Sequence, residues 1–160
     1  MKEKIKNAFE ALGFELEELD DFGSKFQYEG SNYLWMYCDN DDDFLNISLP
    51  GVLDLEKIDE MLFYKLMDHL NGTLKYVKVN MFYDSMWLFY ERELMGDEDL
   101  ERVITRMVSH LYNAMDMLYK GIMECSSDDN NKENENTIVE AEDAEIICDD
   151  NGSTNSPTDN

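Results

Sequence analysis

The sequence is short of most of what catalytic and extracellular proteins rely on. Its three cysteines, Cys38, Cys125 and Cys148, are odd in number and share no Cys-x-x-Cys spacing. That pattern argues against a disulfide framework or a zinc site, and a reducing cytoplasm is the expected compartment. No Gly-x-Ser-x-Gly elbow, phosphate-binding P-loop or Gly-x-Gly-x-x-Gly turn occurs, so the usual signatures of acyl transfer, nucleotide hydrolysis and dinucleotide binding are missing. No apolar run approaches the roughly 18–20 residues that a membrane span requires. The first twenty residues are charged and amphipathic and lack the apolar stretch of a secretory signal. Basic residues are scarce as well: 13 Lys and Arg stand against 37 Asp and Glu, a formal net charge of −24. Nucleic-acid affinity comes largely from basic side chains displacing counterions, and anionic lipid surfaces attract the same side chains. Nucleic acid and membrane are therefore not expected partners, whereas a basic protein segment or a cation suits the charge.

What remains is enough for one domain with a real core, since 43% of the 160 residues are hydrophobic. Residues 2–12 read as a helix, because Ile5, Phe9 and Leu12 recur on one face, and Gly13 is a natural stop. The period then changes. Segments near 24–29, 31–38 and 44–49 are rich in aromatic and β-branched residues, with turn chemistry at Gly30-Ser31 and Asn40–Asp43. A further short strand near 15–18 is left open. Pro50-Gly51 breaks the pattern, and Asp54 is the expected N-cap of a second helix over about 55–70, closed by Asn71-Gly72. Strands at about 74–83 and 86–94 follow, joined tightly through Asp84-Ser85. Gly96-Asp97-Glu98-Asp99 opens a long helix whose apolar stripe, from Leu100 to Ile122, ends near residue 123. The expected architecture is α+β, with order α-β-β-β-α-β-β-α and a five-stranded antiparallel sheet over residues 1–125.

Composition shifts abruptly at Ser126. Residues 126–160 hold 11 acidic residues, one Lys and no aromatic. So little apolar surface does not offset chain entropy, and an acidic disordered tail is expected. Its two apolar islands, Ile138-Val139 and Ile146-Ile147, leave open a short docking segment.

Few residues point to chemistry. The run Asp39, Asp41, Asp42, Asp43 resembles a calcium loop, yet an EF-hand needs Gly at its sixth position and Glu at its twelfth. Phe44 and Pro50 stand there, so a solvated turn is the plainer reading and a weak cation sensor the remote one. His69 and His110 have no carboxylate or cysteine at ligand spacing and read as packing or surface residues. No metal, cofactor or catalytic residue is assigned, and the protein is not expected to be an enzyme.

The informative feature is aromatic. Leu34, Met36 and Cys38 alternate with Tyr33, Trp35 and Tyr37, and Met86, Leu88 and Tyr90 alternate with Trp87 and Phe89. Both faces of these strands are apolar, where a sheet covered on one side should alternate apolar with polar. Either helices cover both faces, with the second helix on the side opposite the first and third, or one aromatic face serves a partner. On the second reading the partner surface comprises Tyr33, Trp35, Tyr37, Trp87 and Phe89. Met61, Tyr64 and Met67 broaden the apolar face of the second helix and are the expected homodimer contact.

Two stretches carry a family resemblance. They are Phe26-Gln27-Tyr28-Glu29-Gly30-Ser31-Asn32-Tyr33-Leu34 with Leu45-Asn46-Ile47-Ser48-Leu49-Pro50, and Asn71 followed by Lys75-Tyr76-Val77-Lys78-Val79 and Ser85-Met86-Trp87. Together they resemble the YbjN-like domain family over about residues 1–123. The resemblance implies the fold of the class I type III secretion chaperones, which are acidic homodimers that wrap an unfolded client segment. It transfers no catalytic residue, because the family has none accepted. By that analogy the function is chaperone-like protein binding; a small monomeric regulatory or stress-related domain is the alternative.

Overall fold

The computed structural model describes residues 1–20, 22–37 and 43–142, with side chains as far as Glu124. Two units are distinguished, Met1–Ile122 and Met123–Asn160. The first unit is α+β and runs α1 (Lys2–Ala11), β1 (Glu17–Leu19), β2 (Gly23–Tyr28), β3 (Ser31–Met36), β4 (Phe44–Asp54), α2 (Glu60–Thr73), β5 (Val77–Phe82), β6 (Ser85–Glu93) and α3, which begins at Leu100. The sheet is antiparallel in the order β1-β2-β3-β4-β6-β5. It has six strands rather than the expected five, because residues 17–19 pair with β2. Three residues give too short an alternation for the sequence to declare a strand. Their pairing is supported by Lys25 on Glu17, 2.6 Å apart.

Turn chemistry shaped the strand ends differently from expectation. In the β2–β3 hairpin Tyr28 pairs with Ser31, leaving Glu29-Gly30 as the turn. In the β5–β6 hairpin Phe82 pairs with Ser85, leaving Tyr83-Asp84. All four turn residues have positive φ, +48° and +77° in the first turn, +51° and +56° in the second, as the two-residue type I′ turn demands. Pro50-Gly51 does not end its strand. Gly51, at φ +60°, lies in a register irregularity between Leu49 and Leu53, and β4 continues to Asp54. Such a bulge bends the strand while keeping its pairing on either side.

Asp54 does not cap α2. Its carboxylate accepts the Ser85 hydroxyl at 2.7 Å and meets the Lys57 ammonium beside a 3-10 turn at Leu55–Lys57. The cap is Asp59, whose Oδ1 accepts the Leu62 N–H at 3.0 Å. The helix also passes through Asn71-Gly72 to Thr73, because the Asn71 side chain is engaged elsewhere. It donates to the Val79 carbonyl and accepts the Val79 N–H, both at 2.9 Å. Those bonds occupy the outward backbone groups of an edge strand, which otherwise invite pairing with another chain.

All three helices rest on one face of the sheet. Phe9 of α1 stacks on Trp35 at 5.3 Å and meets Phe26 at 5.0 Å. Tyr64 of α2 reaches Met81. In α3, Tyr112 meets Tyr28 and His110 meets Tyr90. The fully buried core lies in this layer and includes Phe9, Phe26, Tyr33, Leu45, Ile47, Phe63, Leu88 and Leu111. The expectation that α2 would cover the opposite face is corrected: its buried residues Phe63, Leu66 and Leu70 belong to the same core.

Helix α3 is assigned to Leu100–Glu142, past the end expected near residue 123. Among the described side chains its last buried residue is Leu118, and no Gly or Pro stands between Ile122 and Glu142 to break the backbone. Residues 143–160 of the expected tail lie outside the described residues, as do Cys38 and Asp39–Asp42 of the candidate cation turn. Among the described residues no group of three or more His, Cys, Asp or Glu is placed to hold a metal ion, and no helix is long and apolar enough to cross a membrane.

The entry to α3 supplies a pH-sensitive link. The Glu98 carboxylate accepts the Met95 N–H at 2.8 Å and the Gly96 N–H at 2.9 Å, and Arg92 donates to it at 3.1 Å. The Met95 amide foremost, with Gly96 and Arg92, holds this carboxyl below the usual carboxylate range. A lowered folded value stabilises the fold above the unfolded pKa, about 4.3 for Glu. That stabilisation is lost as pH falls through the folded value. Glu98→Gln should therefore melt below wild type at pH 7, and the gap should close on acidification below about pH 4. Thermal unfolding across pH 2–7 measures it; a gap independent of pH would contradict this account.

Candidate functional site

Strand register decides which apolar residues share a face. Trp35 pairs with Ile47, which pairs with Tyr90, which pairs with Val77. These four face the helices. The alternate row runs Leu34, Ser48, Phe89 and Lys78 across the same strands and faces away from them. Trp87 and Phe89 therefore point to the opposite side of the sheet from Tyr33 and Trp35, and the partner surface expected from the sequence divides in two.

The first half is core. Tyr33 is fully buried and stacked on Phe26 at 5.4 Å, and Trp35 is 2% exposed under Phe9. Neither is available to a partner in this fold, and both are withdrawn from the candidate surface. Burial pushes the Tyr33 phenol well above its ordinary value, and its hydroxyl has no hydrogen-bond partner among the described residues. Tyr37 is half-buried. Its hydroxyl lies 2.6 Å from Ser24 Oγ, the Lys2 ammonium sits 3.5 Å from its ring centroid, and its edge meets Trp35. That places it as a clamp between α1 and the sheet.

The second half stands on the open face. Trp87 and Phe89 are half-buried, stacked at 5.9 Å, and absent from the helix-covered core. Beside them lie residues that the sequence reading did not single out for this surface. Phe82 is 46% exposed and meets Trp87 at 5.4 Å. Leu34 and Met36 continue the apolar surface across β3, and Phe44 does so at the start of β4. Two polar atoms are buried in this face without a partner among the described residues, Ser48 Oγ and Asn46 Oδ1. The Asn46 amide is held by Glu91 at 3.1 Å, and Glu91 takes Lys78 at 2.6 Å. Buried polar groups are ordinarily satisfied, so these two atoms are exceptions in this fold.

The apolar surface turns the corner of the sheet. Tyr83, at the hairpin tip, is 88% exposed and meets Phe82 at 4.6 Å. Met81, next in β5, receives the Tyr64 hydroxyl from α2 at 3.9 Å. Met61 and Tyr64 are 62% and 42% exposed, while Met67 is tucked against the core. Met61 and Tyr64 of the expected dimer contact and Trp87 and Phe89 of the expected partner surface thus form two ends of one belt. Met81, Phe82 and Tyr83 join them around edge strand β5. Tyr83 occupies a left-handed turn position that a bulky side chain disfavours. An exposed aromatic held in a strained conformation is a signature of a working surface.

The two tryptophans should separate in stability measurements. Trp35→Ala should cost about 3–5 kcal/mol, the range for emptying a large aromatic site in a core. Trp87→Ala should cost about 1 kcal/mol or less, as expected off the core. Tyr33→Phe should be neutral or stabilising by up to about 1 kcal/mol, because it removes an unsatisfied hydroxyl. Urea unfolding of the three variants checks this; equal losses for Trp35→Ala and Trp87→Ala would place both in the core.

No protein-family model matches the sequence, and no curated protein matches it either. Solved structures do resemble it. An uncharacterised protein from Methanothermobacter thermautotrophicus superposes with a TM-score of 0.56 at 18% identity, over 77% of this chain and 96% of the other. YbjN from E. coli, a candidate transcription regulator, superposes with a TM-score of 0.52 at 12% identity, over 81% of this chain and 93% of its own. At such identities the likeness is one of architecture, and the chain has a YbjN-like fold.

Proposed function

We propose that the domain is a non-enzymatic, chaperone-like binder of an extended polypeptide segment that is apolar and basic. The single observation that supports it most is the aromatic row of Phe82, Trp87 and Phe89 on the sheet face that carries no helix among the described residues. Aromatic and methionine side chains supply adaptable apolar contact. Residues 1–125 carry 26 acidic against 12 basic residues, which favours a basic client and speeds its capture at low salt. The domain works in a reducing cytoplasm, consistent with three cysteines that share no pairing pattern.

A second reading, self-association into a homodimer, draws on the exposure of Met61 and Tyr64 at the other end of the belt. A monomeric regulatory domain, closer to the role put forward for YbjN, would use the same belt on a folded partner. In either case the negative charge favours protein over nucleic acid.

The readings separate by experiment. An unfolded peptide of alternating Leu and Lys should bind the full chain, more weakly as salt rises, and an otherwise identical Leu/Glu peptide should not. The double variant Phe82→Ala/Trp87→Ala should stay folded and lose at least about tenfold in affinity, roughly 1.4 kcal/mol. Tyr83→Asn, which suits the turn better, should raise stability while weakening binding, the trade expected of a strained working residue. Sedimentation over a concentration series tests the dimer. A shift to twice the chain mass that Met61→Glu abolishes would favour self-association, and absence of peptide binding in wild type would sink the client reading.

A further inference from the structure

The chain contains only three arginines, Arg92, Arg102 and Arg106. All three line one cavity of about 350 Å³, together with His110, Tyr76 and Tyr90. It lies on the helix-covered side of the sheet, opposite the open face, in the groove between α3 and the β5–β6 hairpin. The geometry has a simple origin. Arg102, Arg106 and His110 are four residues apart in turn along α3 and so share one face. Tyr90 and Arg92 are two apart on β6 and point to the same side.

Their charges are unevenly answered. Arg92 is engaged by Glu98 at 3.1 Å and donates through Nε to the Glu93 carbonyl at 3.3 Å. Arg102 and Arg106 are exposed and make no ion pair among the described residues. One acid lines the cavity, Asp99, and its Oδ1 already accepts the Arg102 backbone N–H at 3.1 Å as a helix cap. On a chain with nearly three acids for each base, two adjacent guanidinium groups without a carboxylate partner are out of character. Lysine is the commoner basic residue here, yet none lines the cavity. Arginine is the side chain that grips phosphate or carboxylate with two parallel N–H donors.

The cavity also has a flat apolar wall. Tyr76 and Tyr90 lie parallel within 6° at 5.8 Å, with His110 tilted against both at 5.3 and 5.8 Å. Tyr76 remains 55% exposed and so offers ring surface to a planar group. The volume falls in the range of small-molecule sites, about 300–1,000 Å³.

We propose that this cavity binds a small phosphomonoester carrying a planar ring, a nucleoside monophosphate by chemical class. Arg102 and Arg106 grip the phosphate and Tyr76 supplies the stacking face. The site is distinct from the belt: none of its lining residues belongs to the belt.

The test is calorimetric titration of the full chain with adenosine monophosphate, inorganic phosphate and citrate as separate probes. Adenosine monophosphate should bind in the micromolar to low-millimolar range and raise the melting temperature. Arg106→Ala and Arg102→Ala should each weaken it by at least about tenfold, the scale of losing a bidentate charged contact. Tyr76→Ala should weaken adenosine monophosphate but leave inorganic phosphate unchanged, which separates stacking from charge. All three side chains are exposed, so the variants should keep the wild-type circular dichroism, and Arg106→Lys should recover part of the affinity if one variant misfolds. No heat or melting shift with any probe would overturn the proposal. So would binding of adenosine monophosphate that the arginine variants leave intact, or a preference for citrate over both phosphates.

Discussion

Three helices share one face of the sheet, and the aromatic layer beneath them holds that arrangement in place. Phe9, Phe26, Tyr33 and Trp35 interlock at ring separations near 5 Å, joining α1 to β2 and β3. Tyr112 and His110 extend the same layer under α3. Packing of this density tolerates little rearrangement, so the helices have no freedom to move to the other side. The open face follows from that constraint. With the helices committed to that side, Trp87 and Phe89 have no helix over them among the described residues, and the free edge at β5 connects them to α2.

The two candidate sites use opposite chemistry because they sit in opposite settings. The belt is apolar, broad and shallow, with Met and aromatic side chains that adapt to varied partners. Its charge comes from the acidic surroundings and acts at a distance. The arginine cavity is compact and positive within an otherwise negative molecule, and its selectivity would come from two guanidinium groups and one ring. Elements that serve the fold border both. Asn71 blocks the outer backbone of β5 at Val79, which discourages strand-to-strand association and leaves the side chains of the belt as the means of contact. Glu98 closes the loop before α3 and holds Arg92 at the rim of the cavity.

Much of the fold was legible from local pattern. The helix at 2–12, the long apolar stripe from Leu100 and the order of the elements all followed from periodicity and turn residues. Errors clustered where a side chain had a tertiary engagement. Asp54 reads as a cap and instead meets Ser85 across the sheet. Asn71 reads as a helix stop and instead bonds to β5. Pro50-Gly51 reads as a strand end and is a bulge, since two extra residues are accommodated where pairing resumes beyond them. The acidic turn Asp39–Asp43 could be weighed only from its spacing, against the pattern a calcium loop requires.

The sequence by itself determined that the strands at 31–38 and 86–94 are apolar on both sides, that the molecule is strongly acidic, and that it holds no Gly-x-Ser-x-Gly, P-loop or Gly-x-Gly-x-x-Gly motif. It could not assign the aromatics to faces. A strand's period of two separates Tyr33 from Leu34 and Trp87 from Leu88, but nothing within either strand relates one to the other. That relation is set by register, and a shift of one residue would exchange the faces. Tertiary pairing of Trp35 with Ile47 and of Ile47 with Tyr90 placed Tyr33 and Trp35 in the core and left Trp87 and Phe89 outside it. The same pairing, with α3 laid across it, brought Arg92 to Arg102 and Arg106, residues whose sequence spacing alone gives no sign that they meet.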